Sequence, residues 1–290
     1  MTNRELNIRT IRGVLSINLL KESYWRNFDG GYTSATIISR QSFKLDSPGT
    51  NLLFEIKASL LNYNGTYPQI FLMPEGYYSH DHRMTMFNFK ENTLWYGLDK
   101  YQIAKRSEKD NITKEIDLEQ FHNYQFEFTD KKFKWRLDDQ DHLFRGYFLD
   151  TDEVGKTGFL LNPYFSLFKG VAPLKPYKIV VTVFHDIDNP SDINDKYCHS
   201  LLLDYIRVYS SNGTNFDINT DTSSLNNSSE ICKTIISKND QTYVKFRPNQ
   251  DLKLIWQDEF DHNYLDLSKW SIQFNENRCR GRVHFYLIKF

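Results

Sequence analysis

No stretch of this chain keeps a helical apolar period beyond three turns, yet run after run of strand length is rich in Val, Ile, Thr, Phe and Tyr. Such runs occupy residues 14–20, 33–45, 52–60, 84–89, 124–128, 133–137, 177–184 and 201–209. Several alternate apolar with polar side chains, as in Phe54-Glu55-Ile56-Lys57-Ala58 and Phe133-Lys134-Trp135-Arg136-Leu137. Gly, Asn, Asp and Pro stand between them. Many short strands punctuated by turn residues predict an all-β chain, a sandwich or a barrel.

With 290 residues the chain is long enough for one large β domain and an appendage. Its 36 basic and 37 acidic residues leave a net charge of −1, so there is no basic footprint for nucleic acid. No apolar run is long enough to span a bilayer. Aromatic residues make up 16% of the chain, which supplies core filling and rings able to stack on sugars. The three cysteines, Cys198, Cys232 and Cys279, match no zinc spacing, and an odd count leaves one without a partner in the chain. Sequons at Asn64, Asn111, Asn212, Asn226 and Asn227, with no signal-peptide h-region at the N-terminus, give an expectation of a secreted glycoprotein read from a start that lacks its leader.

Residues 210–230 are dense in Asn, Ser, Thr and Asp and read as a linker. Beyond it stands Leu254-Ile255-Trp256-Gln257-Asp258-Glu259-Phe260, then Leu265-Asp266-Leu267-Ser268-Lys269-Trp270. This pair resembles the opening strand and first turn of glycoside hydrolase family 16, the laminarinases and invertebrate β-1,3-glucan-binding proteins. Asp204-Tyr205-Ile206-Arg207-Val208-Tyr209, which precedes it, resembles the closing strand of the same domain. Between residue 1 and that strand lie further likenesses in family order. They are Tyr32-Thr33-Ser34-Ala35, Phe54-Glu55-Ile56-Lys57-Ala58, Tyr67-Pro68-Gln69-Ile70-Phe71 with Leu72-Met73-Pro74-Glu75, Leu94-Trp95-Tyr96-Gly97, and Phe121-His122-Asn123-Tyr124.

The resemblance implies a jelly-roll β-sandwich of two antiparallel sheets. It divides the chain into a sandwich at 1–210 without its usual opening strand, a linker at 211–250, and an opening segment at 251–290. That last segment is either truncated from a tandem protein or permuted, and a permuted segment is expected to pair 252–260 with 201–209 and bury Trp256. The implied ligand is a β-1,3-glucan or a related polysaccharide outside the cell, and the implied activity is glycosidic hydrolysis.

The family's catalytic strand carries Glu-x-Asp-x-x-Glu. Retaining hydrolysis needs two carboxyl groups about 5–5.5 Å apart, one to attack carbon and one to exchange protons. Alignment by the flanking motifs puts Arg83 at the nucleophile, Thr85 at the middle Asp and Asn88 at the acid/base. Neither Arg nor Asn can perform those steps, so the expectation is a glucan-binding domain that does not cleave. The alternative is an active endo-β-glucanase, through a domain outside the chain or through Glu115, Asp117 and Glu119. These last three match a shorter Glu-x-Asp-x-Glu form but stand out of family order.

Tyr67, Phe71, Trp95 and Tyr96 match or adjoin aromatic positions of the family's glucan cleft, and Tyr77 lies on the neighbouring loop. Alternation gives some of these rings to the core instead, with Phe71 and one of Trp95 and Tyr96 the candidates. The resemblance also implies a candidate structural calcium held by Asp204 and by backbone oxygens of the opening strand. The plainer reading makes Asp204 a surface carboxylate beside Arg207.

Overall fold

A computed structural model describes residues 7–22, 31–47, 49–60, 66–75, 84–90, 93–98, 101–104, 120–129, 132–138, 140–147, 176–185, 201–212 and 251–277. Cys198, Cys232, Cys279 and the linker lie outside them. Among the described residues every regular element is a strand, and no helix is long and apolar enough to cross a membrane.

The strands are β1 (Ile8–Ile11), β2 (Val14–Ile17), β3 (Leu20–Glu22), β4 (Gly31–Ser39), β5 (Leu52–Leu60), β6 (Thr66–Pro74), β7 (Met84–Lys90) and β8 (Thr93–Leu98). They continue as β9 (Tyr101–Ala104), β10 (His122–Phe128), β11 (Lys132–Leu137), β12 (Gln140–Tyr147), β13 (Tyr177–His185), β14 (Leu201–Ser210), β15 (Lys253–Asp258) and β16 (Trp270–Asn277). Two antiparallel sheets result. The back sheet runs β1-β2-β14-β5-β10-β11-β12 with β15 added to β14, and the front sheet runs β16-β4-β13-β6-β7-β8-β9 with β3 added to β4. This is the all-β sandwich expected from the strand pattern, in the jelly-roll form that the resemblance implied.

Alternation sends one face of each sheet into a shared core. Leu52, Phe54, Ile56, Ala58 and Leu60 of β5 face Tyr177, Ile179, Val181 and Val183 of β13 across it. Rings cross the gap between sheets: Phe87 lies 4.4 Å from Tyr124, Phe43 lies 5.7 Å from Phe54, and Phe128 lies 6.3 Å from Tyr177. Burial of each such ring contributes about 1.5–3 kcal/mol before ordering costs. The run at 33–45 proves too long for one strand. It ends at Ser39, whose hydroxyl accepts from the Ile179 amide, and the chain returns as a single bridge from Phe43 to Tyr177.

The C-terminal segment enters both sheets. β15 pairs with Ile206–Ser210 of β14, and β16 pairs with β4 from Trp270↔Ser39 to Asn277↔Tyr32. Trp256 is buried and meets Trp270 edge-on at 5.5 Å, back sheet to front. Asp258 ties the two strands together, because its carboxylate accepts from the Trp270 indole at 2.6 Å and from the Phe260 amide at 3.2 Å. Phe260 takes φ 53°, uncommon for a bulky residue, and its ring stacks on Trp270.

The expected pairing with 201–209 holds over half its length. Leu201–Leu203 is instead covered by β2, so two strands share one edge of β14. β2 reaches that edge through a two-residue hairpin from β1. Arg12 and Gly13 both have positive φ there, the geometry that matches strand twist.

Candidate functional site

The front sheet's outer face is the site the resemblance singles out, and strand β7 is its centre. Between Thr85 and Asn88 its register slips by one residue against both neighbours, so Met86 is an extra, bulged residue. Met84, Met86 and Phe87 all go to the core as a result. Thr85 falls on the outer face, and the pleat brings position 88 back to that face three residues later. A bulge of this kind is what the spacing Glu-x-Asp-x-x-Glu requires. Arg83 lies outside the described residues, as do Tyr77, Glu115, Asp117 and Glu119.

Cross-strand pairing sets the outer face in rows. One row reads Thr36, Thr182, Gln69, Asn88, Trp95. The next reads Ile38, Val180, Phe71, Thr85, Gly97. Tyr67 pairs with Phe184 at one end and Met73 with Lys178 at the other. The core reading of Phe71 is thereby corrected: it shares the Tyr67 and Thr85 face, and Ile70 and Leu72 take the core. Position 95 belongs to the Asn88 row, and position 96 falls on the opposite side of the pleat. The structure therefore gathers Tyr67, Phe71, Thr85 and positions 88 and 95 on one face, and separates position 96 from them.

This face is nearly free of charge. Among its described side chains, ionic groups stand at the rim, where Lys178 lies 3.7 Å from Glu75. Thr36 and Thr182 share a 2.6 Å hydroxyl hydrogen bond. Tyr67 and Phe71 are only 8% and 7% exposed, so neither offers a whole ring face; Gln69, Met73, Thr85 and Phe184 are half-buried and present more surface. Sequence reading passed over Gln69 and Phe184. The alternation Tyr67-Gln69-Phe71 was the signal for the first, and only the β13 register reveals the second.

The back sheet's outer face is the opposite in chemistry. Glu55, Lys57 and Gln125 are buried there. The Tyr205 hydroxyl donates to Glu55 at 2.7 Å, and Arg207 lies 3.9 Å over the Tyr205 ring while gripping Glu259 through two bonds of 2.7 and 2.8 Å. Burial, then the Glu55 charge, pushes the Tyr205 and Tyr209 hydroxyls well above the usual phenol range. Burial opposes the charge on Arg207, but hydrogen bonding and the charge of Glu259 hold it above its ordinary value. Arg136 pairs with Glu127 on the neighbouring strands.

Asp204 stands on this face. It is the extra residue of a bulge in β14, between Leu203 and Tyr205, at the step where β2 ends its pairing and β15 begins. Its carboxylate is 2.5 Å from the Lys57 ammonium, while Arg207 pairs with Glu259. These residues do not fit a calcium ion. Calcium takes 6–8 oxygen ligands at about 2.3–2.6 Å, and here an ammonium already lies against the carboxylate. Among the described residues no group of three or more His, Cys, Asp or Glu side chains could hold a metal.

No family model matches the chain. No curated protein matches it either. Solved structures do resemble its fold. The laminarinase from Rhodothermus marinus is 18% identical, with a TM-score of 0.46 over 70% of this chain and 79% of that one. A non-specific endo-β-1,3(4)-glucanase from family GH16, with 1,3-β-D-cellobiosyl-glucose at its active site, is 17% identical, with a TM-score of 0.47 over 71% and 77%. The laminarinase from Flavobacterium sp. UMI-01 is 16% identical, with a TM-score of 0.46 over 70% and 81%.

Proposed function

We propose that the chain holds a β-1,3-glucan, or a related neutral polysaccharide, along the outer face of the front sheet without cleaving it, and that it works outside the cell. The observation that carries this reading is the composition of four consecutive strands. β6 to β9 contain no Asp or Glu at all, and the outward positions of the bulged strand are 85, 88 and 90, a Thr, an Asn and a Lys. Without a pair of carboxylates there is no glycosyl-enzyme intermediate and no general acid for the leaving oxygen. A face free of Asp and Glu along these strands, with hydroxyl, amide and ring groups at its centre, suits a polyhydroxylated chain, which binds by ring stacking and hydrogen bonds.

Laminarin retention measured beside release of reducing ends tests both halves of the proposal. Retention without release is expected. The other reading, hydrolysis through Glu115 and Glu119, rests on their alternating carboxylate pattern with Asp117. It predicts release that disappears in Glu115→Gln or Glu119→Gln.

A further inference from the structure

The mismatch at Asp204 leads further. We infer that the Lys57 ammonium is the cation this sandwich builds in at Asp204, and that the fold requires no calcium there. Three observations converge on it. The pair is close, 2.5 Å from Nζ to Oδ2, with the lysine side chain 6% exposed and the carboxylate 32%. The lysine is placed by the sheet, because Lys57 of β5 pairs in register with Tyr205 of β14. Its ammonium lies 5.8 Å from the centre of the Phe121 ring and 5.9 Å from that of Tyr205.

The location explains why a cation is needed. The bulge at Asp204 interrupts the β14–β5 ladder just where the two edge strands meet. Asp258 and Asp261 stand near enough to act electrostatically in the same quarter: burial raises the Asp261 carboxyl above its ordinary value, the charges of His262 and Lys269 oppose that rise, and those of Asp204 and Asp258 add to it. Negative charge there must be met. A compact ammonium on a flexible stem meets it with three donors, and a divalent ion added to the same carboxylate would face that ammonium across a few ångströms of partly buried space.

The test is thermal melting of the whole chain in calcium chloride and in EGTA, with magnesium chloride as a control. A calcium site filled at about 100-fold over its dissociation constant would raise the melting temperature by roughly 5–10 °C. The inference predicts the same melting temperature in all three solutions. It also predicts that Lys57→Met and Asp204→Asn each lower that temperature, and that the double variant falls by clearly less than the sum. A rise in calcium or a fall in EGTA for the unaltered chain overturns the inference, as does simple additivity of the two variants. If Lys57→Met fails to fold, the unaltered chain in calcium and EGTA still decides the matter.

Discussion

On the back sheet's outer face, Glu55, Lys57, Asp204, Arg207 and Glu259 are all ionic, and each has a partner from another strand or from a loop. On the front sheet's outer face, the comparable central positions are Thr36, Val180, Thr182, Tyr67, Gln69, Phe71 and Thr85. Both faces look away from one core, and both belong to twisted antiparallel sheets. The difference lies in what each does with polarity. The back face uses charge to fasten strands: Lys57 with Asp204 joins β5 to β14, and Arg207 with Glu259 joins β14 to the residue that follows β15. The front face has almost none among its described central positions, which are hydroxyl, amide, aliphatic and aromatic groups. A face whose charges are paired internally has little left to recognise a ligand with.

This contrast can be broken from the core outward. Trp256→Ala removes a ring that touches Phe43 and Trp270, and so joins the two sheets. It should cost about 3–5 kcal/mol of stability and weaken both faces together, read by urea unfolding and laminarin retention. A smaller and one-sided effect is expected from Arg207→Ala. Losing the Glu259 grip should cost about 1–3 kcal/mol and leave laminarin retention unchanged at temperatures well below the melt. If retention fell with it, the two faces would not be independent.

On the other side, Trp95→Ala and Tyr67→Ala should each weaken retention by roughly ten-fold, the equivalent of about 1–2 kcal/mol. Tyr67 is nearly buried, so its loss should also lower the melting temperature. Unchanged retention in both variants would remove the front face from the account.

Alkaline pH gives a gentler probe of the back face. The folded-state pKa values of Tyr205 and Tyr209 are raised above the unfolded value of about 10. Their contribution is therefore fully present below pH 10 and declines above it, by at most about 1.4 kcal/mol per pH unit for each hydroxyl. Tyr124 and Tyr177, raised mainly by burial in the core, add to the same decline. Urea midpoints measured from pH 9 to 11 should fall above pH 10, and Tyr205→Phe should make the fall shallower.

Much of this was legible in the chain. Alternation gave the central strands, and the closing and opening motifs led to the expectation that a permuted 252–260 would pair with 201–209, which holds over Ile206–Ser210. The family spacing carried over to Thr85 and Asn88 implied a bulge, because two positions three apart must share a face. Other features were hidden for physical reasons. Glu55 and Lys57 alternate with apolar residues like any solvent-facing pair, yet all nine residues of β5 are buried. The strand is central, and the long side chains of β14 and β10 cover its outward positions. The split edge of β14 was invisible because β2 carries no motif that names its partner. Phe71 and Ile70 are equally apolar, so only the register could say which of them faced outward.

The most direct test of the central claim is one sample of the chain incubated with laminarin and assayed for both bound polysaccharide and new reducing ends. Retained laminarin with no new reducing ends is the result expected from a front face with no Asp or Glu on β6 to β9. Reducing ends that accumulate with time, and vanish in Glu115→Gln or Glu119→Gln, would contradict it.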